Sequence, residues 1–205
     1  MTEGTVPKGL WAPRSVEETL DLYADWAGGY DADMVTFGYV TPARLAQALS
    51  AHLPDKDTPI LDFGCGTGVS GAALAQAGFL AVDGTDISPE MLAEAEKKGV
   101  YRSLFPGTVG DVPDLKGYGA VTATGVVSLG AAPASLLAPL VTGLERGALL
   151  AFSYNEATLR DMSYHEALAD LQVGGHAVVL ASQHGPHLPK KEGAQTSTVY
   201  VVRRL

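Results

Sequence analysis

At 205 residues the chain has the length of one large domain, and its 46% hydrophobic and 18% charged residues indicate a globular protein rather than a disordered one. A net charge of -9 repels phosphate backbones, so we expect no nucleic-acid partner. The chain has a single cysteine, Cys65, and its first residues lack the basic and apolar segments of a secretory signal. We therefore expect a cytoplasmic protein without an intrachain disulfide.

One uncharged stretch, residues 117–144, is long enough to cross a bilayer. Glycines and prolines interrupt it, among them Gly125, Gly130 and Pro133. A buried strand, a loop and a helix account for these interruptions better than one continuous membrane helix does. We predict no membrane span.

Apolar runs alternate with helical patterns along the chain, which is typical of βαβ units and a mainly parallel sheet. Two helices come first: one around Ser15–Trp26, opened by a capping box of Ser15 and Glu18, and one over Pro42–His52 with Thr41 as its N-cap. The strands predicted after them are Ile60–Phe63, Phe79–Thr85, Ser103–Thr108, Ala120–Thr124, Ala148–Ser153, Ala177–Ser182 and Ser197–Val202. The helices predicted between these strands are Val69–Ala77, one from Ser88 to near Gly99, Ala134–Leu144 and Leu159–Leu171.

The most informative segment runs from Ile60 to Gly68, Ile-Leu-Asp-Phe-Gly-Cys-Gly-Thr-Gly. A strand leads into three alternating glycines and then into a helix. Glycines allow a tight turn and the close approach of a ligand to the backbone, and the helix N-terminus offers free N–H groups to an anion. The anion is the carboxylate of S-adenosylmethionine (SAM) or the pyrophosphate of a dinucleotide.

Two acidic residues favour SAM over a dinucleotide, although Gly66, Gly68 and Gly71 also satisfy the GxGxxG fingerprint. Asp62 precedes the turn, where a carboxylate can engage the ammonium group of SAM directly or through water and would repel a pyrophosphate. Asp86 comes about 20 residues after the first glycine, at the tip of the second strand, where it can accept hydrogen bonds from ribose hydroxyls. Both SAM and NAD carry ribose, so only the two acids together favour SAM.

These motifs resemble those of the class I SAM-dependent methyltransferases. Residues Ile60–Gly71 are similar to motif I of that family, and Gly84–Met91 (Gly-Thr-Asp-Ile-Ser-Pro-Glu-Met) to the motif that follows it. Residues Tyr23–Asp31 (Tyr-Ala-Asp-Trp-Ala-Gly-Gly-Tyr-Asp) resemble the N-terminal segment of small methyltransferases. Gly99-Val-Tyr101 then follows as in the methyltransferase-like proteins named after the Williams–Beuren syndrome region. The resemblance covers most of residues 20–175.

The resemblance implies a Rossmann-like three-layer α/β sandwich with a mainly parallel seven-stranded sheet and an antiparallel last strand. Since no repeat, linker or composition break divides the chain, we predict a single domain over residues 1–205. Within it, residues 1–57 form a helical segment that covers the cofactor site, and residues 58–205 form the core.

The implied cofactor is SAM, and its implied contacts follow the order of the motifs. The methionine part is held by Asp62, Gly64, Gly66 and Gly68, the ribose by Asp86, and the adenine by Ile87, Met91, Asp111 and the amide of Val112. Gly125 and Val126 end the fourth strand near the methyl donor, and Tyr23, Trp26 and Tyr30 close over the cofactor. These three rings have nearly helical spacing, so they can equally be core residues.

Several other functions are disfavoured. The Asn/Asp-Pro-Pro-aromatic motif that accompanies amino-methylation of DNA bases does not follow the fourth strand, so that activity is disfavoured. The acid that often begins this strand in the family is also missing at Tyr118-Gly-Ala120, a departure that weakens the resemblance little because that acid is mostly architectural. His184-Gly-Pro-His187 suggests a metal pair but lacks a third ligand, so we predict no metal. A general base, where the acceptor needs one, is open among Tyr30, Tyr154, His165 and His184.

The expected function is methyl transfer from SAM to a small molecule. Its pocket is expected between the N-terminal segment, Val126–Leu129 and Tyr154–Asn155, which are mostly apolar and neutral. Two alternatives stay open: an NAD(P)-dependent oxidoreductase on a similar sheet, and a module that binds SAM or S-adenosylhomocysteine (SAH) without catalysis.

Overall fold

A computed structural model describes residues 15–193 and 195–205. Its strands are β1 (Ile60–Phe63), β2 (Val82–Asp86), β3 (Ser103–Pro106), β4 (Ala120–Ala123), β5 (Leu149–Asn155), β6 (Ala177–Leu188) and β7 (Gln195–Arg204). Its α-helices are α1 (Val16–Phe37), α2 (Thr41–Ser50), α3 (Val69–Gln76), α4 (Pro89–Lys97), α5 (Leu137–Thr142), α6 (Glu156–Arg160) and α7 (Met162–Val173), with a 3-10 turn at Ala134–Leu136 before α5.

The seven strands form one sheet in the order β3-β2-β1-β4-β5-β7-β6. Strands β1 to β5 are parallel, and β7 is antiparallel to both of its neighbours, β5 and β6. The predicted mainly parallel sheet with an antiparallel last strand is confirmed. Because β6 pairs antiparallel with β7, β6 runs in the same direction as the five parallel strands.

Alternate residues of each strand face opposite sides of the sheet, and helices cover both sides. On one side Ile60 and Leu149 pack with α2 and α3, while on the other Leu61 and Leu150 pack with α5 and α7. The structure is thus the predicted three-layer sandwich. None of its described helices is long and apolar enough to cross a membrane.

Helix α1 begins at the predicted capping box, in which the Ser15 hydroxyl accepts from the Glu18 amide and the Glu18 carboxylate from the Ser15 amide. The helix continues well beyond Trp26, through two glycines, and ends at Gly38 with a left-handed φ of 68°. Packing of its aromatic residues against the end of β6 offsets the low helix propensity of glycine. Residues 1–14 of the predicted N-terminal segment lie outside the described residues.

Several local predictions were wrong. Strand β2 begins at Val82 rather than at the predicted Phe79. Thr41 lies inside α2 rather than capping it, because its hydroxyl bonds to His187 and Ser197 instead. The helix predicted over Leu159–Leu171 is two helices, since Asp161 is extended and caps α7 through Ser163. Strand β6 extends six residues further than predicted, to Leu188, across a proline that an edge strand tolerates.

Candidate active site

A cavity of about 380 Å³ lies at the carboxyl ends of the strands, where open α/β sheets bind their ligands. Residues at the end of each of the six strands that run in the same direction, or directly after it, line the cavity, and α1 forms the opposite wall. The predicted site residues that line it are Tyr23, Trp26, Tyr30, Gly64, Gly66, Asp86, Ile87, Met91, Asp111, Gly125 and Val126. The cavity lining does not include Asp62, Gly68 or Val112.

The glycine loop between β1 and α3 has the backbone that its sequence predicts. Gly64, Gly66 and Gly68 have φ values of 68°, 54° and 87°, which other residues rarely adopt. A Cβ on Gly64 would lie 2.4 Å from Val126 Cγ2, so the loop packs directly on the residue after β4. A Cβ on Gly66 would meet no atom within 4 Å, which leaves the loop backbone open beside the cavity.

Asp86 joins the glycine loop to the start of α4. Its Oδ2 accepts from the Gly66 amide at 2.8 Å, and its Oδ1 accepts from the Ser88 amide at 2.9 Å. Ser88, not Asp86, caps α4. Burial raises the pKa of the Asp86 carboxyl, although these backbone donors oppose the shift.

Asp62 lies beneath the loop and not at the cavity wall. Its fully buried carboxylate accepts from three hydroxyls, those of Ser70 at 2.5 Å, Tyr101 at 2.8 Å and Thr122 at 2.8 Å. Burial raises its pKa against the effect of these donors. Three hydroxyls of the chain thus bind this carboxylate, and its contact with a ligand, directly or through water, stays a prediction.

The α1 wall is built from aromatic rings that serve both as core and as cavity lining. Tyr23 stacks on Trp26 with centroids 6.3 Å apart, and Tyr30 meets Trp26 edge-on at 4.7 Å. The indole N–H of Trp26 donates to Asp33 at 2.7 Å, which fixes the ring. Burial raises the pKa of the Tyr30 hydroxyl, so it stays protonated at neutral pH.

In the segment after β3, the amide of Val112 does not face the cavity as predicted. Ile87, Met91 and Asp111 line the cavity as predicted for an adenine site. The amide of Val112, expected to face the adenine, instead donates to the carboxylate of Asp111 at 2.9 Å.

Gly68, in the glycine loop, packs away from the cavity, since a Cβ there would lie 3.1 Å from Lys98 Cδ.

A polar clasp of Asp31, Thr67 and Lys98 joins α1, the glycine loop and α4. Asp31 accepts from the Thr67 hydroxyl at 2.6 Å and from the Lys98 ammonium at 2.5 Å. Lys98 also donates to the carbonyl of Thr67 at 2.5 Å. The clasp holds α1 over the loop.

Tyr39 and His187 also line the cavity. The sequence did not single out Tyr39, and it suggested His187 only as a metal ligand. Their rings meet edge-on with centroids 5.1 Å apart, and a Cβ on Gly125 would lie 3.6 Å from the Tyr39 hydroxyl. Tyr39 reaches the cavity through the chain reversal at Gly38, and His187 through the extension of β6. Neither feature has a local sequence signal.

Of the candidate general bases, only Tyr30 lines the cavity. Tyr154 is buried in the core and donates to the carbonyl of Tyr164, His165 contacts the carbonyl of Leu159, and His184 contacts Thr198. Among the described residues no group of histidine, cysteine and acidic side chains is arranged to hold a metal ion.

Comparison with known proteins agrees with this geometry. Residues 60–147 match a family described as Methyltransferase domain. The chain is 33% identical over 156 residues to methyltransferase-like protein 27 of Homo sapiens, covering 74% of this chain and 63% of that protein. It is 41% identical over 85 residues to the cypemycin N-terminal methyltransferase of Streptomyces sp, covering 40% of this chain and 33% of that protein.

The chain thus spans 63% and 33% of the lengths of these two curated relatives. Among solved structures, magnesium protoporphyrin IX methyltransferase from Synechocystis PCC 6803 with bound SAM is similar, with a TM-score of 0.63 and 19% identity over 95% of this chain and 99% of that chain. Residues 60–147 thus match a methyltransferase domain, and the chain is similar in sequence to methyltransferases and in fold to a methyltransferase that binds SAM.

Proposed function

We propose that the chain is an enzyme that binds SAM in this cavity and transfers its methyl group to a small-molecule acceptor. The observation that carries the proposal is the bond between the Gly66 amide and the Asp86 carboxylate at 2.8 Å, at the open backbone of the glycine loop. The Asp86 carboxylate, which can accept further hydrogen bonds, and the unshielded backbone of Gly66 therefore lie side by side on one cavity wall.

The residues present fit SAM. Each Asp86 oxygen accepts one backbone N–H and, with two lone pairs, has capacity for a further donor such as a ribose hydroxyl. The carboxylate already holds the Gly66 amide, one of the amides a pyrophosphate would use, and would repel a diphosphate. Asp62 does not line the cavity, and Asp86 alone does not separate SAM from NAD because both carry ribose, so the matched methyltransferase domain is what supports SAM over NAD.

When bound, SAM supplies a methyl group already activated on a sulfonium, so the chain has mainly to bind, orient and exclude water. The rings of Tyr23, Trp26 and Tyr30 suit a cation, which is attracted to aromatic faces. We assign Ile87, Met91 and Asp111 to the adenine, and Gly64 and Gly66 to the methionine part. Gly125 and Val126 would lie near the transferred methyl group.

A small acceptor is supported by the shape of the site. Cofactor and acceptor share about 380 Å³, closed by α1 on one side and by the end of β6 on another. We infer one domain over residues 1–205, in which residues 15–57, the described part of the N-terminal segment, cover the core formed by residues 58–205.

Calorimetric titration with SAM, SAH and NAD tests the proposal. We expect SAM and SAH to bind, and Asp86→Ala to weaken both by at least about tenfold through the loss of hydrogen bonds to a charged group. Asp114→Ala, which removes an exposed turn carboxylate, is the matched control and should bind normally. Binding of NAD without SAM would support the oxidoreductase instead.

Methyl transfer from labelled SAM into a metabolite extract tests catalysis separately. A labelled product that disappears with Asp86→Ala supports the enzyme. Tight SAM binding without any labelled product would identify a catalytically silent module.

A further inference from the structure

A chain of hydrogen bonds ends at the ring of His187. It starts at Arg44, whose Nη1 donates to the Ser197 hydroxyl at 3.0 Å. The Ser197 and Thr41 hydroxyls lie 2.8 Å apart, and the Thr41 hydroxyl lies 2.8 Å from His187 Nδ1. Thr41 and Ser197 are fully buried, so water does not satisfy them.

The guanidinium fixes the direction of every bond in this chain, because it can only donate. Ser197 accepts from Arg44 and must place its own proton on Thr41, its other hydroxyl contact among the described residues. Thr41 then donates to His187 Nδ1. The reverse order would leave a buried hydroxyl proton without an acceptor, which costs about 1–3 kcal/mol. Nδ1 is therefore the acceptor, and the neutral ring carries its proton on Nε2.

His187 is neutral at physiological pH. Burial, together with the positive charges of Arg44 and Lys191, lowers its pKa to about 4. Its neighbour Tyr39 keeps its proton because burial raises the pKa of that hydroxyl. Since Nδ1 is turned to Thr41, Nε2 is the ring nitrogen left for a ligand in the cavity that the ring lines.

We propose that His187 positions the methyl acceptor by donating its Nε2–H to a carbonyl oxygen on a flat, apolar molecule. The inference rests on the proposed function, since it concerns the acceptor end of the same cavity. Tyr39 meets the His187 ring edge-on and Leu188 follows it in β6, so an apolar and aromatic surface lies beside this donor. The Asp86 carboxylate and the net charge of -9 favour a neutral oxygen over an anionic one. A ring that already holds its Nε2 proton is a hydrogen-bond donor and not a general base.

The tautomer is tested by long-range ¹H–¹⁵N spectra of the histidine rings in the full chain saturated with SAH, between pH 6 and 8. We expect a bare Nδ1 and a protonated Nε2 for His187, assigned by loss of the signals in His187→Phe. Thr41→Val should mix the tautomers. Thr198→Val, which removes the contact of His184, should leave the His187 signals unchanged. A protonated Nδ1 or an imidazolium at pH 7 would overturn the inference.

Acceptor recognition is tested with two probes of matched shape, acetophenone and ethylbenzene, which differ by the carbonyl oxygen. Acetophenone should shift the Nε2 proton and bind about three- to tenfold more weakly to His187→Phe, while ethylbenzene should do neither. Equal behaviour of the two probes, including no binding of either, would overturn the assignment of His187. Calorimetry with SAH on the same samples separates the outcomes: failure of SAH to bind refutes the proposed function, whereas SAH binding with an unresponsive His187 refutes only this inference.

Discussion

Asp62 and Asp86 lie near the ends of adjacent strands, and they meet different partners. Asp86 faces the cavity and holds two backbone amides, whereas Asp62 holds three hydroxyls that tie β1 to α3, β4 and Tyr101. In both cases burial raises the pKa of the carboxyl. We conclude that Asp62 stabilises the glycine loop from its buried side, while Asp86 binds the loop backbone on the side that faces the cavity.

Asp62→Ala should therefore act mainly on stability. Removing the carboxylate leaves the hydroxyls of Ser70, Tyr101 and Thr122 without their acceptor, and a buried unsatisfied donor costs about 1–3 kcal/mol. We expect the free energy of unfolding to fall by at least about 2 kcal/mol in urea denaturation. Asp170→Ala, on an exposed helix face, should change it by less than about 0.5 kcal/mol. Equal small losses for the two variants would contradict this role of Asp62.

At the level of single residues, the sequence was informative where chemistry is local. The alternating glycines and the spacing to Asp86 predicted the loop and its acidic partner, since both follow from a strand, a turn and a helix. Two features were not predictable from local sequence. The direction of the Asp62 side chain depends on distant residues such as Tyr101, and the Val112 amide donates to Asp111 only in the folded loop.

The clasp of Asp31, Thr67 and Lys98 attaches helix α1 to the glycine loop and to α4 through polar contacts. Lys98 connects Asp31 on α1 with the Thr67 carbonyl, and both ion-pair partners are partly exposed, so the pair adds little to global stability. We expect the clasp to act locally, by stabilising the position of α1 over the glycine loop.

Lys98→Met should increase amide hydrogen exchange in α1 and weaken SAM binding several-fold, with a change in unfolding free energy below about 1 kcal/mol. Lys97→Met is the matched control, because Lys97 pairs with Glu94 within its own helix. Exchange rates in α1 that match between the two variants would show that the clasp does not hold the helix.

Elements with strong periodic patterns were predictable, and those set by tertiary packing were not. The glycine-loop strand and the helix capped by Ser88 lie where expected. The full length of α1 was hidden by Gly28 and Gly29, which are poor helix formers. The last six residues of β6 contain Gly185-Pro186, a pair typical of turns that pairing with β7 holds extended.

For the molecule as a whole, His187 gives a pH dependence of known sign. Its folded pKa of about 4 lies below the ordinary value of 6.5, so the unfolded chain takes up the proton first as the pH falls. The neutral His187 ring therefore contributes to the free energy of unfolding, and this contribution is fully present above pH 6.5 and is lost as the pH falls from 6.5 to about 4. The raised carboxyl pKa values of Asp62 and Asp86 act in the opposite direction at low pH.

The comparison with His187→Phe isolates this effect. Relative to the variant, the wild-type chain should lose stability in urea denaturation as the pH is lowered from 6.5 to 4, and the difference should be constant above 6.5. The same carboxylates are present in both proteins and cancel. Parallel stability curves across this range would contradict a depressed pKa at His187.

Strand β6, which carries His187, joins the sheet only through β7, and this determines the order in which the parts of the cavity can form. The glycine loop and Asp86 are close in sequence, whereas α1 and His187 come from opposite ends of the described chain and meet only after β7 has paired with β5. Contacts between such distant segments carry the largest loop-closure entropy and form late. During synthesis the half of the cavity lined by the glycine loop and Asp86 can therefore assemble while the half lined by His187 is still open.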